Sequence, residues 1–196
     1  MIQYENNMCK NYANISLILT HYPVYNKNQE VVVSSITTLD IHDLSRIAKT
    51  FELGTFYIVT PLKSQIDLIE KVCSHWKTGF GASYNPTRNE AFGNVCVADN
   101  LDCAFRLIMD REGKPPKVIA TGARKFQNSI KFHEMKKKIN LNDPFAILLG
   151  TGWGLEESVL MKADYILEPI KGIGNYNHLP VRGAAAIIVD RLLTRE

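Results

Sequence analysis

Short apolar runs alternate with amphipathic segments along this chain. Ile15-Ser-Leu-Ile-Leu19 reads as a buried strand. Phe56-Tyr-Ile-Val59, Val95-Cys-Val97, Lys117-Val-Ile-Ala120, Phe145-Ala-Ile-Leu-Leu149 and Tyr165-Ile-Leu-Glu-Pro169 repeat that pattern. Between them, apolar residues recur three and four positions apart, the spacing of a helix face. Ile41, Leu44, Ile47, Ala48 and Phe51 form one such stripe, and Ile66, Ile69, Val72, Cys73 and Trp76 a second. Leu101, Ala104, Phe105 and Ile108 form a third, and Phe132, Met135 and Ile139 a shorter one. Asp40 and Asp99 stand where helix N-caps are expected, and Gly54 closes the first helix. About six strands alternating with five or six helices predict an α/β fold, with a mostly parallel sheet flanked by helices. Continuously apolar strands suit a sheet covered on both faces.

Residues 1–14 precede the first strand and read as a flexible N-terminal extension. Residues 15–196 read as a single domain. Residues 77–94 are rich in Gly, Asn and Ser. They are expected to form one long irregular loop, which in a compact domain is usually functional or mobile.

Composition narrows the function classes. A chain of 196 residues can bury one sizeable core, and 45% hydrophobic with 22% charged residues is ordinary for a soluble protein. No apolar run approaches the roughly 20 residues of a membrane span. The N-terminus lacks the basic and apolar regions of a secretory signal, so the cytoplasm is the expected compartment. Cys9, Cys73, Cys96 and Cys103 are widely spaced with no CxxC. They read as reduced, mostly buried thiols, with neither a metal site nor a disulfide framework expected. A net charge of +3 permits nucleic-acid binding through a local patch without arguing for it.

The segment from Phe145 to Leu193 carries most of the functional signal. Its first strand breaks into Gly150-Thr-Gly-Trp-Gly154, and its second leads into the polar loop Gly172-Ile-Gly-Asn-Tyr-Asn-His178. An Ala-rich apolar helix, Val181-Arg-Gly-Ala-Ala-Ala-Ile-Ile-Val189, closes it. Two strands ending in small-residue loops make a place for a flat, adenosine-bearing ligand, because glycines let the backbone approach closely. The glycine spacing invites a dinucleotide-binding reading, with Glu168 as the ribose acid. The spacing is not GxGxxG, and Glu168 lies too close to the glycines. Turn glycines without a ligand are the plainer alternative.

The same residues carry a resemblance. Leu148-Leu-Gly-Thr-Gly-Trp-Gly-Leu155, Ala163-Asp-Tyr-Ile-Leu-Glu-Pro-Ile170 and Asn177-His-Leu-Pro-Val-Arg-Gly-Ala-Ala-Ala-Ile187 resemble the SPOUT, or α/β-knot, RNA methyltransferases. The likeness is greatest to a compact bacterial group consisting of the knotted domain alone. Thr20-His-Tyr-Pro23, Thr37-Thr-Leu-Asp-Ile-His-Asp-Leu44, Phe56-Tyr-Ile-Val-Thr60 and Tyr84-Asn-Pro-Thr-Arg88 extend it upstream. The resemblance implies a C-terminal trefoil knot, an exception to the rule against knots. It implies a methyl donor, S-adenosylmethionine, bent across three loops. Carried onto this chain, the first loop holds Thr121, Gly122 and Ala123, and the second Leu149, Gly150, Thr151, Gly152, Trp153 and Gly154. The third runs from Leu167, Glu168, Pro169 and Ile170 to Asn177, His178 and Leu179, reaching Val181 and Ala185 at the helix start. The implied acceptor is a nucleotide of tRNA or rRNA. Pro180 stands where related sequences more often carry a small hydroxyl residue.

Three residues are candidates for catalysis. Arg46 shares a polar helix face with His42 and Lys49, and the resembling enzymes often place an arginine there, reaching the substrate across a dimer interface. A solvated surface arginine is the alternative. Arg88 would project from a turn begun by Asn85-Pro86, beside Phe80 and Tyr84, as a phosphate and stacking site for an unpaired nucleotide. An ordinary turn with an exposed arginine is the alternative. His178 is either a base near neutral pH or a residue that positions its loop. Lys136-Lys-Lys138 with Arg124 and Lys125 forms either a phosphate-binding surface or a solvated face. The final helix, apolar nearly all round, is expected to pack in a homodimer or to be buried by the knot alone. An RNA-binding or assembly protein with a vestigial cofactor site keeps the fold without the chemistry, and a Rossmann-type nucleotide-binding enzyme is the further alternative.

Overall fold

The computed structural model describes residues 12–174 and 176–194. The N-terminal extension is therefore described only from Tyr12, and Cys9, Asn175 and the last two residues lie outside the described residues. Tyr12 and Asn14 are tied to the domain. The Tyr12 hydroxyl donates to the carbonyl of Leu193 at 2.9 Å, and Asn14 donates to Asn140 and Asp143 carbonyls at 2.9 and 2.6 Å.

All six expected strands are present: β1 (Ile15–Thr20), β4 (Phe56–Val59), β5 (Val95–Ala98), β6 (Lys117–Ala120), β8 (Phe145–Gly150) and β9 (Tyr165–Leu167). β7 (Ser129–Ile130) adds a seventh, and the sheet order is β5-β4-β1-β8-β6-β9-β7 with every pair parallel. That order differs from the dinucleotide-binding fold. β2 (Val24–Tyr25) and β3 (Val31–Val32) form a separate antiparallel hairpin. β9 stops at Leu167, so Glu168 and Pro169 belong to the loop that follows.

Both sheet faces are buried, for the reason the continuous apolar strands gave. Leu17, Leu19, Phe56, Ile58, Phe145 and Ile147 point to one side. There they meet α1 (Thr38–Thr50), α2 (Lys63–Lys77), α6 (Phe132–Lys138) and α8 (Val181–Leu193) through Leu44, Ile69, Met135 and Ile188. Ile18, Tyr57, Ala146 and Leu148 point to the other side. They pack on α5 (Leu101–Glu112) and α7 (Glu157–Lys162) through Ala104, Ile108 and Leu160. Each fully buried side chain of this size contributes about 2 kcal/mol of transfer free energy.

Three local expectations need correction. Residues 77–94 are not one irregular loop: α3 (Phe80–Tyr84) and α4 (Pro86–Phe92) occupy most of them. The Asn85 side chain accepts the Arg88 amide at 3.0 Å with Pro86 in the first turn, so the pair that signals a turn starts a helix instead. Thr37, not Asp40, caps α1, because its hydroxyl accepts the Asp40 amide at 3.2 Å. Asn100, not Asp99, caps α5 by accepting the Cys103 amide at 2.8 Å. Among the described cysteines, Cys73 is buried while Cys96 and Cys103 are half-buried, and all three are free thiols.

Candidate functional site

β8, β6 and β9 are neighbours in the sheet and all three run the same way, so the loops leaving their C-terminal ends meet. They enclose a cleft of about 690 Å³. The first loop contributes Thr121, Gly122, Ala123 and Arg124, and the second Leu149, Gly150, Thr151, Gly152, Trp153 and Gly154. The third contributes Glu168, Ile170, Asn177, His178 and Leu179, with Pro180, Val181, Ala184 and Ile188 leading into and along α8. Open α/β sheets bind ligands at this end. Leu167, Pro169 and Ala185, expected on the wall, do not line the cleft. They are buried beneath it, where Leu167 and Ala185 join the core.

The second loop is held from two directions. Tyr25 of β2 accepts the Trp153 amide at 2.9 Å and donates to the Gly154 carbonyl at 3.0 Å. Thr151 donates to the Thr20 carbonyl at 3.0 Å and bonds the Ser34 hydroxyl. Gly152 and Gly154 have φ of 59° and 102°, a region that penalises any side chain. A Cβ on Gly152 would also stand 2.8 Å from the Tyr25 carbonyl oxygen. Gly122 differs: it lines the cleft, and a Cβ there would meet nothing within 4 Å.

Several polar wall groups are already committed to structure. The Thr121 hydroxyl donates to the buried Leu148 carbonyl at 2.8 Å, and its amide bonds the same carbonyl at 3.2 Å. Glu168 accepts the Phe132 amide at 3.0 Å and so caps α6. Asn177 donates to the Ala123 carbonyl at 3.0 Å and ties the third loop to the first. The exposed His178 packs edge-on against Tyr176, ring centres 5.6 Å apart.

The structure brings His178 to the cleft but places Arg46 and Arg88 elsewhere. Arg46 is exposed on α1 and lines a shallow surface depression with Asp43, Phe51 and Arg182. It makes no hydrogen bond or ion pair among the described residues. Arg88 does not project from a loop. Its guanidinium lies 4.8 Å from the Trp76 ring centre and 3.4 Å from His42 Nδ1. Burial first, and then the Arg88 charge, push the His42 pKa below its ordinary value. Phe80 and Tyr84 stack on one another with centres 5.7 Å apart, and both are exposed.

Other residues at and beside the cleft escaped the sequence reading of the site. Ser34, Ser35 and Asp40 also line the cleft. Arg182, on the first turn of α8, pairs with Asp40 at 3.3 Å and Asp43 at 2.9 Å, joining α8 to α1 beside the cleft. His21 lies behind Ser34, fully buried, with its Nδ1 2.8 Å from the Ser34 hydroxyl. Burial holds its pKa down to about 4, against the opposing pull of Asp40 and Ser34. The Thr20-His-Tyr-Pro23 string, with Thr37-Thr-Leu-Asp-Ile-His-Asp-Leu44 around Asp40, was the signal for this wall.

The cleft fits a bent adenosyl ligand. Its volume lies within the roughly 300–1,000 Å³ of small-molecule pockets. Leu149, Ile170, Leu179 and Ala184 give an apolar slot, and the glycine backbone of the second loop offers amides and carbonyls. Asp40 and Glu168 both line the cleft and supply carboxylates suited to a sulfonium, Asp40 sharing its charge with Arg182.

Comparison with known proteins agrees. A family model described as SAM-dependent RNA methyltransferase matches residues 14–194. An uncharacterized protein of Aquifex aeolicus is 38% identical over 183 residues, covering 93% of this chain and 89% of that one. A tRNA (guanine-N(1)-)-methyltransferase of Oleidesulfovibrio alaskensis is 43% identical over 180 residues. That match covers 92% of this chain but only 42% of the relative, so the chain spans less than half of it. The AdoMet complex of the SpoU methyltransferase AviRb from Streptomyces viridochromogenes has the same fold, with a TM-score of 0.58 at 12% identity. It covers 91% of this chain and 56% of that one. Matched along nearly its whole length, the chain belongs to the SAM-dependent RNA methyltransferase family.

Proposed function

We propose that the cleft holds S-adenosylmethionine, with its adenosine against the 149–154 loop, and that the chain delivers the methyl group to a nucleotide of tRNA or rRNA. The observation that carries this reading is the meeting of three strand-end loops in one cleft of ligand size. Bound there, the cofactor supplies an electrophilic methyl on a sulfonium. The protein's part is alignment. The apolar slot and backbone amides fix the adenosyl end, Asp40 and Glu168 favour the positive centre, and His178 stands at the exposed mouth to orient or deprotonate an acceptor. Pro180 has no hydroxyl, so a serine or threonine at that place is not part of this chain's chemistry. The guanine-N1 activity of the Oleidesulfovibrio relative belongs to a chain more than twice as long, of which this chain matches 42%.

The acceptor needs a second surface, because His178, Tyr176 and Leu179 leave the mouth open. We infer a homodimer packed through α8 and α1, in which Arg46 of one protomer faces the cleft of the other. The exposed Arg46 beside the half-buried Arg182 and Gly183 supports this. The same reading includes the knotted C-terminal path of the family and a cytoplasmic site of action. No described helix is long and apolar enough to cross a membrane. Methyl incorporation from labelled S-adenosylmethionine into purified tRNA and rRNA tests the proposal. Arg46→Glu is expected to lower transfer about a hundredfold while S-adenosylhomocysteine affinity stays within about twofold. Equal loss of both would remove Arg46 from the acceptor side, and a fully active monomer would remove the shared site.

A further inference from the structure

The excursion from His21 to Ser34 closes on itself, since the Ser34 amide donates to the His21 carbonyl at 2.9 Å. Its two ends therefore stand together at the end of β1, beside Thr151 of the glycine loop. Three side chains meet there, and their proton directions follow from what each atom can do. The Thr20 carbonyl only accepts, so the Thr151 hydroxyl spends its proton on it, at 3.0 Å. The contact between the Thr151 and Ser34 hydroxyls then needs the Ser34 proton. The rival acceptor for that proton, the His21 carbonyl, lies 3.5 Å away. Ser34 Oγ must in turn accept, and the group 2.8 Å from it is His21 Nδ1, which therefore carries the hydrogen. His21 Nε2 is left as a bare lone pair, buried and without a hydrogen-bond partner. Such an atom normally costs stability. Here the ring's other nitrogen anchors a chain that ends on the cleft wall.

We infer that His21 and Ser34 are positioning residues for cofactor binding: the chain His21 Nδ1–H to Ser34, Ser34 O–H to Thr151, Thr151 O–H to the Thr20 carbonyl fixes the glycine loop in its ligand-accepting shape. The inference rests on the cofactor placement proposed above. Neither residue touches the reacting atoms. His21 acts through Ser34, and Ser34, which itself lines the cleft, acts on the glycine loop through Thr151, which lines it with Gly150 and Gly152. The arrangement also gives the 21–34 excursion a purpose, because its hairpin clamps the same loop through Tyr25.

The test is calorimetric binding of S-adenosylhomocysteine to the full chain and four variants. Ser34→Ala and His21→Leu each break the chain and are expected to weaken binding by about tenfold, the usual effect of one lost buried hydrogen bond. His21→Asn keeps an N–H near the Nδ1 position and is expected to bind within about threefold of the parent. Thr151→Ser keeps the hydroxyl and is expected to do the same. The Trp153 indole N–H resonance gives a readout independent of ligand. It is expected to move in Ser34→Ala and His21→Leu and to return in His21→Asn, while the Trp76 indole resonance stays in place. If the parent binds and all four variants match it, the positioning role is wrong. The role is equally overturned if Asn rescues neither affinity nor the Trp153 resonance. If the parent does not bind, the cofactor placement fails, and the Trp153 resonance alone decides whether the chain fixes the loop.

Discussion

Two loops that line the cleft are built in opposite ways. The 150–154 loop is bonded to β2 through two backbone hydrogen bonds and to Thr20 and Ser34 through Thr151. The 171–179 loop is mostly exposed, with Ile173 and Tyr176 carrying their apolar surface into solvent. Among the described residues, its side-chain tie to the first loop is the Asn177 bond to Ala123. Few buried apolar contacts and exposed backbone mark the low-stability end of a structure. The difference teaches a division of labour: one wall held in shape by its neighbours, and one exposed wall tied down by few contacts.

The sharpest way to break that comparison is to unseat the rigid loop. Gly152→Val combines a positive φ with a clash against the Tyr25 carbonyl. It should cost about 4 kcal/mol in urea unfolding, strain plus overpacking, and abolish S-adenosylhomocysteine binding. Retained stability would mean that the loop is not clamped as described. Gly152 is thus a poor probe of ligand contact alone, since its loss disturbs the mount as well.

Acid should loosen the same loop by a gentler route. The folded pKa of His21, about 4, lies below its ordinary value of 6.5. Between those values the unfolded chain binds the proton and the folded one does not. The contribution is therefore complete above about pH 6.5 and is lost as pH falls towards 4, on the order of 3 kcal/mol in total. The check is the difference in unfolding free energy between the parent and His21→Asn from pH 7 to 4. A flat difference would show that His21 does not resist protonation.

Smaller effects separate ligand contact from scaffolding. Gly122→Val places a branched side chain in open cleft space and should weaken S-adenosylhomocysteine binding by tenfold or more, with unfolding within about 0.5 kcal/mol of the parent. Asn177→Ala removes the tie of the loose loop and should change affinity by only about threefold. A loss as large as that of Gly122→Val would give the third loop the same preformed character as the second and erase the contrast.

Much of this architecture was legible because parallel strands buried on both faces must be continuously apolar. The 15–19 and 145–149 runs could hardly be anything else. β2, β3 and β7 have two residues each, too few for any period to show. α3 and α4 were hidden by Gly, Asn and Ser, and are fixed by the burial of Phe92 and by the Asn85 cap. At the site, the two glycine-bearing walls were readable because each loop follows a strand. The wall with Ser34 and Asp40 was not, because Ser34 meets Thr151 across 117 positions and Arg182 meets Asp43 across 139. Pairings of that kind leave no local pattern. The packing of Arg88 was hidden for a similar reason: only the fold puts Trp76 under its guanidinium.

The pairing of β1 with β8 has a consequence for how the protein is made. Thr20 and Thr151 lie 131 positions apart, yet their bond is part of the cleft wall. Contacts of such separation form late and slowly, after most of the chain is available. A nascent chain still lacking β8 has no glycine loop to mount, and one lacking α8 has no slot to close. On the cofactor placement proposed above, capture of the methyl donor waits until β1, β8 and α8 have come together.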